Sequence, residues 1–468
     1  MPNVLILGAG ISGLTVAYRL QQTRPDIDIT ILEPCDRPGG TIWTERRDGF
    51  QIEIGPNGFL DTKPTTFELC RDLGLAGSLV TASDAAAKNR FLFVDGQLKA
   101  LPNGLLPFLK TNLLSWRGKL SFLMERFRAP RLDPSDESVD AFAARRAGRE
   151  VADVFADALV TGIHAGDPRL LSIRAAFPRI AGLEREFGSV IKGLGRTAKQ
   201  RRAEAKARGE VYQRPGKMWS FRDGLRLLVE TLSTQLKQQP LLGVEVRRIA
   251  RSDGSGKPQW IASASAVNSW TADAVVLACP AHQQARLLGD IDTELSEKIA
   301  AIPYNRVAVV ALGYRRADVP MSVDGFGYIA PQRTRRDLLG VQWCSSIFPG
   351  RAPEGTVLLR AMCGGWHRAE IVGWDDGRLL QAARAELQLA MGVAAEPIFH
   401  HIVRWDRAIP QYHLGHLERV AEIESRVAQH PGLFLTGNAY HGVAMNDCTE
   451  QGMAVALKVS RYLAGAEG

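Results

Sequence analysis

The chain has 468 residues, 45% of them apolar, with a net charge of +8, nine histidines and six cysteines. That length exceeds one hydrophobic core and implies two or three domains. No apolar run approaches the roughly 18 to 20 residues that span a bilayer, and without a CxxC or HExxH spacing the composition argues against a structural metal and for reduced, mostly buried thiols. The sequence enters its first strand at once, leaving no room for a signal peptide.

Val4–Leu7 is a wholly apolar run suited to a parallel strand buried on both faces. Gly8, Gly10 and Gly13 follow it. The first permits a tight turn, the second lets a pyrophosphate approach the backbone, and the third lets the next helix, opening at Ile11-Ser12, pack close to the strand. A second strand, Asp28 to Leu32, ends at Glu33, about twenty residues beyond Gly13, where an acid can hold ribose hydroxyls. These features in register predict dinucleotide binding. Arg37 and the pair Gly39-Gly40, followed by Thr41, offer a cation and backbone amides to phosphate, or form a simple turn. A period-two run, Phe50 to Ile54, leads into the turn Gly55-Pro56-Asn57-Gly58.

Thr65 to Leu75 has helical periodicity, and Lys88 to Leu101 reads as a hairpin turning at Asp95-Gly96. On residue type alone, Arg90 at the head of that hairpin is a surface charge. Leu105 to Phe127 mixes Leu, Phe and Trp with Lys and Arg, which suits an amphipathic helix pair in a membrane interface or an ordinary domain core. Asp133 to Gly148 opens with caps and runs into a helix. Lys192 to Lys217 is strongly basic: a solvated helix or loop, or a surface attracted to anionic lipid or an acidic partner. Nucleic acid is disfavoured, because no aromatic residues interleave with these charges. Val244 to Ile249 and Ala272 to Pro280 read as buried strands, and Leu433 to Gly452 as strand, glycine turn and helix.

The βαβ unit with its acid, the RPGG stretch and the Gly-Pro turn resemble the flavin-dependent amine oxidase and protoporphyrinogen oxidase superfamily. The pattern GxxAGDPxxLSxxAAF from Gly162 resembles its porphyrinogen-oxidising branch, as do SFRDGLRLL, GFGYI, SSIFPGRAP and WDRAIPQYHLG. The resemblance covers nearly the whole chain. It implies FAD, held by Gly8, Gly10, Ile11, Ser12, Gly13, Glu33, Arg37, Gly39, Gly40, Thr41, Gly55, Pro56, Asn57, Val246, Trp405, Gly437, Asn438, Gly442, Val443 and Ala444. It implies substrate contacts at Arg90, Gly162, Ile329 and Phe348, with Arg90 binding a propionate although Asn89 stands where the family pattern has proline. Asn57 is the one polar candidate for a catalytic role; no residue stands out as general base, and no metal is expected.

The fold that follows is α/β: a Rossmann-like FAD-binding domain of the amine oxidase type from residues 1–85, 216–290 and 406–468, an antiparallel-sheet (α+β) substrate domain from 86–100 and 291–405, and a helical, membrane-binding insertion at 101–215. The implied activity is oxidation of protoporphyrinogen IX by molecular oxygen in haem or porphyrin synthesis, through successive hydride transfers to the flavin. Coproporphyrinogen III oxidation is the alternative, and an amine oxidase or carotenoid desaturase the next. A cytoplasmic enzyme peripheral to the inner face of the membrane, homodimeric and handing its product to ferrochelatase, completes the expectation.

Overall fold

The computed structural model describes residues 1–131, 133, 135–207, 216–252, 259–465. The expected basic stretch is thus described only as far as 207 and again from 216.

Five strands form a parallel sheet in the order Leu241–Leu242, Asp28–Glu33, Asn3–Leu7, Ala274–Leu277, Leu433–Leu435. The adjacent strands Asn3–Leu7 and Ala274–Leu277 are buried almost throughout, as helices on both faces require, whereas the edge strand Leu241–Leu242 is exposed. The helix Ile11–Thr23 covers one face together with Met445–Leu463. One expected strand divides: Val244 to Ile249 is not continuous. The chain leaves the parallel sheet after Leu242, Val244 N donates to the Glu33 carbonyl at 2.9 Å, and the next strand, Arg248–Ser252, belongs to a separate antiparallel three-stranded sheet. Alternation in VEVRRI predicts extended backbone, but extended backbone can change sheets.

A second sheet has seven strands in the order Phe399–Trp405, Val307–Arg315, Thr356–Gly364, Leu338–Trp343, Gly327–Ile329, Arg90–Val94, Gln97–Ala100. It is antiparallel except where Gly327–Ile329 pairs parallel with Arg90–Val94. The predicted hairpin turns at Asp95 and Gly96, both at positive φ (55° and 74°), which matches the right-handed twist of the flanking strands. One face buries Tyr328, Trp343 and Leu359 under the helix Asp376–Met391. By the two-residue period of strands, the other presents Arg90, Leu92, Gly327, Ile329, Gln342 and Arg360.

The Phe50–Glu53 strand departs from its expected alternation, because all four residues are buried. Glu53 lies 3.3 Å from the Arg351 guanidinium and accepts from Thr44 Oγ1 and Leu225 N; burial outweighs these partners and pushes its carboxyl above the usual range.

Helices fill 105–207, with residues 132 and 134 outside the description. Buried Glu125 pairs with buried Arg146 and accepts from Ser189 Oγ (2.6 Å), Val190 N (3.0 Å) and Ile191 N (3.1 Å), so a single carboxylate neutralises a cation and caps the helix Val190–Ala207. The AGDP segment is a joint. The helix Asp157–His164 ends at Ala165 in the left-handed region (φ 45°), and that residue's carbonyl accepts from Asn305 Nδ2 (3.0 Å) and Trp366 N (2.8 Å).

Inside this joint His164 is buried against Phe177 and Tyr412, its Nδ1 lacks a partner, and burial lowers its pKa to about 4. The fold holds it neutral, whereas the unfolded chain takes up a proton near pH 6.5. Stability is therefore unaffected above pH 6.5 and falls as pH drops from there towards 4, by about 1.4 kcal/mol for each pH unit across that window. In thermal melts at pH 7 and pH 5, the wild type should lose more than His164→Asn; equal losses would exclude this origin.

Candidate active site

The starts of the helices Ile11–Thr23 and Met445–Leu463 and three glycine loops, at Gly8–Gly13, Gly39–Gly40 and Gly437–Gly442, follow the carboxyl ends of parallel strands. Gly8 sits at φ 112°, and a Cβ there would lie 3.0 Å from the Ala278 backbone; a Cβ on Gly13 would lie 2.1 Å from the Gly8 carbonyl oxygen. These two glycines are demanded by packing. Gly10, by contrast, has open space around its would-be Cβ. Gly10 is also the extended N-cap of the Ile11–Thr23 helix, with no side-chain cap and no acid in the first turn, so the amides around Ile11, Ser12 and Gly13 are left to an anion. Glu33 is buried and holds the loop from below, its carboxylate accepting Ala9 N at 2.7 Å and Cys35 N at 3.1 Å. That leaves part of its acceptor capacity for a ribose.

Gly39 and Gly40, at φ 102° and 58°, bring the second glycine loop onto the first, with Gly39 N donating to the Ala9 carbonyl and Gly10 and Gly39 bridged as in a parallel pair. Arg37 folds back on this loop, its guanidinium donating to the Gly40 carbonyl at 3.1 Å and lying 4.5 Å from the centre of the Trp43 ring. The Thr41 carbonyl would be 1.9 Å from a Cβ on Gly55, so the Gly55 turn has no room for a side chain. Val246 is buried beside Leu32 in the core under this end of the sheet.

The opposite wall comes from the C-terminal segment. Gly437 (φ 127°) has open space around it, and Gly442 (φ 111°) leaves room for the Asp447 side chain, which accepts the Ala444 N–H at 3.1 Å. Ala444 caps Met445–Leu463 and Val443 packs on the 139–175 helices. Asn438 offers its carbonyl to Tyr412 Oη at 2.5 Å. This helix start is tied to the short strand Phe59–Leu60 that follows the Gly55 turn, since Asn446 Nδ2 donates to the Leu60 carbonyl at 2.6 Å.

Two side chains from the seven-stranded sheet hold the Gly55-Pro56-Asn57 turn. Trp405 Nε1 donates to the Ile54 carbonyl at 2.9 Å. Arg360 donates to the Gly55 carbonyl and, through Nη1, to Gln342 Oε1 at 3.0 Å. Arg360 is 5% exposed, with Nε unpartnered, and burial lowers its pKa. Asn57 is 6% exposed and its Nδ2 has no hydrogen-bond partner among the described residues. A buried amide donor without an acceptor carries a cost of about 1–3 kcal/mol, which a ligand atom at that position would offset.

Register places Arg360, Gln342, Gly327 and Arg90 opposite one another across four adjacent strands, a row about 14 Å long at some 4.8 Å per strand. At its far end Arg90 is exposed, with its guanidinium 4.8 Å from the Phe326 ring centre, its Nε donating to the Ala86 carbonyl at 3.5 Å and, among the described residues, no ion pair; partial desolvation lowers its pKa. Gly162 and Ile329 are neighbours, a Cβ on Gly162 falling 2.6 Å from Ile329 Cδ1. Phe348 is 1% exposed, packed with Ile347 and Ala86 and covered by Arg351 at 5.4 Å.

The residues not anticipated from sequence are Arg360, Gln342, Tyr412 and the Glu53–Arg351 pair. Arg360 did leave a signal, a lone charge inside the apolar strand TVLLRAMCG. The cradle fits FAD on its own terms: free helix-start amides beside Gly10, open space at Gly10 and Gly437, and an unsatisfied Asn57 amide at the far end.

Comparison with known proteins agrees. Residues 11–460 match the family of flavin containing amine oxidoreductases. The chain is 30% identical to coproporphyrinogen III oxidase of Bacillus subtilis over 98% of both proteins. It is 33% identical to protoporphyrinogen oxidase of Homo sapiens, again over 98% of both, and 32% identical to the chloroplastic protoporphyrinogen oxidase of Nicotiana tabacum over 98% of this chain and 86% of the relative. A solved structure from Exiguobacterium sp. 255-15, provisionally assigned as a protoporphyrinogen oxidase, superposes with a TM-score of 0.83 at 26% identity over 99% of each chain. Cyclohexylamine oxidase from Brevibacterium oxydans shares the fold at a TM-score of 0.71 and 17% identity. The chain belongs to the flavin-containing amine oxidoreductase family and is an FAD-dependent oxidoreductase.

Proposed function

We propose that this enzyme oxidises protoporphyrinogen IX to protoporphyrin IX with molecular oxygen as acceptor, in haem biosynthesis. The observation that carries the substrate class is Arg90: an exposed guanidinium with no carboxylate partner among the described residues, on the same sheet face as Ile329 and one end of the Arg360 row. A planar cation of this kind suits a propionate, to which it can bind bidentately. The full-length likeness to proteins named for porphyrinogen oxidation supports the reading.

In this reading the loops at Gly8–Gly13, Gly39–Thr41 and Gly437–Ala444 hold FAD, with Glu33 and Val246 at the adenosine end and Gly55–Asn57 and Trp405 at the flavin end. Bound FAD supplies hydride acceptance and reoxidation by oxygen. The protein's own tasks are positioning and electrostatics. Arg360 and Trp405 fix the turn, Asn57 directs its free amide toward the reacting region, Arg90 anchors a propionate, and Gly162 with Ile329 shapes the apolar wall. Division into an FAD-binding part (1–85, 216–290, 406–468), a substrate part (86–100, 291–405) and a helical insertion (101–215) belongs to the same proposal.

Coproporphyrinogen III is the second reading, favoured by the end-to-end match to the Bacillus protein of that name. A single anchoring arginine accepts a propionate of either substrate. The deciding experiment is anaerobic: the flavin spectrum of the purified enzyme should bleach with a porphyrinogen and not with a primary amine, and the preferred porphyrinogen follows from kcat/KM. Bleaching by the amine alone would overturn the proposal. Arg90→Ala should raise KM by about tenfold to a hundredfold with FAD content intact. Asn57→Ala should lower kcat by about tenfold or more at unchanged FAD content.

We assign the helices Leu105–Lys110 and Trp116–Leu123 to the cytosolic surface of a membrane, where a dimer could hand a photoreactive product to ferrochelatase. Leu106 (71% exposed), Trp116 (69%) and Phe127 (66%) stand in water among Lys110, Arg117, Lys119 and Arg126. Apolar anchors flanked by cations suit an anionic lipid interface. No helix among the described residues is long and apolar enough to cross a membrane. Leu106→Glu combined with Trp116→Glu should reduce co-sedimentation with anionic vesicles at least tenfold at unchanged kcat; undiminished sedimentation would remove the assignment.

A further inference from the structure

The strand Leu433–Leu435 leaves the parallel sheet for a turn, Thr436–Ala444, before the helix Met445–Leu463 begins. Glycines at positive φ stand near both ends of this turn, at 437 and 442, so its own sequence gives it little rigidity. What fixes it comes from outside. Tyr412 is 1% exposed, and its hydroxyl donates to the Asn438 carbonyl at 2.5 Å while accepting the Gly442 N–H at 2.9 Å. One oxygen thus clips the two arms of the turn together, using both its donor and an acceptor lone pair.

The ring that carries this oxygen is itself fixed. His416 stacks on it with centroids 4.0 Å apart and planes 15° from parallel, and His416 Nε2 bonds the Tyr440 carbonyl at 3.0 Å. Tyr440 Oη donates to Gln284 Oε1, and Gln284 Nε2 reaches the carbonyls of Leu277, Cys279 and Thr436. The backbone of Tyr412 is joined to the helical segment through Ser172 N at 2.8 Å. A buried polar network therefore connects the end of a sheet strand, the turn and the helices behind it.

We infer that the Tyr412 hydroxyl is a positioning group for the cofactor: it sets the shape of the Gly437–Ala444 turn and so aims the N-terminus of the Met445–Leu463 helix at bound FAD. The inference rests on FAD as the bound cofactor and not on the identity of the substrate. Without the hydroxyl, the Asn438 carbonyl and Gly442 N–H lose their shared partner, the turn samples other shapes, and the positive end of the helix is no longer held against the cofactor. Both FAD affinity and the ease of flavin reduction should fall.

The test uses the full chain. Tyr412→Phe keeps the ring and its stack on His416 and deletes only the oxygen. Stripped protein titrated with FAD should bind about tenfold to a hundredfold more weakly than wild type, and a dye-linked reductive titration of the reloaded enzyme should give a lower midpoint potential. Tyr314→Phe is the control, because that buried hydroxyl has no partner and lies in the core on the far face of the seven-stranded sheet. It should leave affinity and potential unchanged. Wild-type affinity and potential in Tyr412→Phe would overturn the inference, as would losses matched by the control. If Tyr412→Phe does not fold, His416→Gln, which can still reach the Tyr440 carbonyl but cannot stack on Tyr412, decides by the same two readouts: losses of the same sign sustain the inference, and wild-type values reject it.

Discussion

Everything at the cofactor cradle depends on how closely two helices approach. Ile11–Thr23 and Met445–Leu463 meet where Gly452 faces Ser12 and Thr15, and a Cβ at 452 would lie 2.9 Å from the Thr15 Cβ and 3.0 Å from the Ser12 carbonyl oxygen. A side chain there would push the helices apart. The helix starts at Ile11 and Met445 would move relative to one another, and with the second the Asn446 bond to the Leu60 carbonyl. One missing methyl group joins segments more than four hundred residues apart in the chain.

The seven-stranded sheet meets this cradle with a face that is not uniformly apolar. Burying Arg360 without a carboxylate partner is costly, and the fold tolerates it because two carbonyl oxygens, from Gly55 and the Gln342 side chain, accept its protons. That cation links the two halves of the site. The sheet holds the Gly55 turn through Arg360 and Trp405 and carries Ile329 and Arg90 on the same face as Arg360. Displacement of a strand therefore moves the turn and Arg90 together.

Much of the cradle was legible in sequence because its glycines stand in short, recognisable spacings. Gly13 answers to the nearby Gly8 carbonyl and Asp95-Gly96 to the handedness of a hairpin, whereas Gly8 is constrained by Ala278, 270 positions away, and Gly10 and Gly437 have open space. The AGDP segment was recognisable as a motif, yet its role is mechanical: a helix stop pinned by Asn305 and Trp366. What stayed hidden rests on distant pairs. Arg360 and Gly55 are 305 positions apart, Tyr412 acts on a turn whose residues say nothing of it, and Glu53 sits in a strand whose alternation reads as half-exposed. Phe348 shows the converse, since an aromatic in a family segment is indistinguishable by sequence from an aromatic in the core.

The parallel sheet also orders events in time. Its edge strand Leu433–Leu435 pairs with Ala274–Leu277, which pairs with Asn3–Leu7, each step joining segments more than a hundred residues apart. Contacts of that sequence separation form slowly, and they cannot form at all before the last strand exists. The sheet that carries the Gly8–Gly13 loop is thus completed by a strand about four hundred residues further along the chain, which places its closure late in folding.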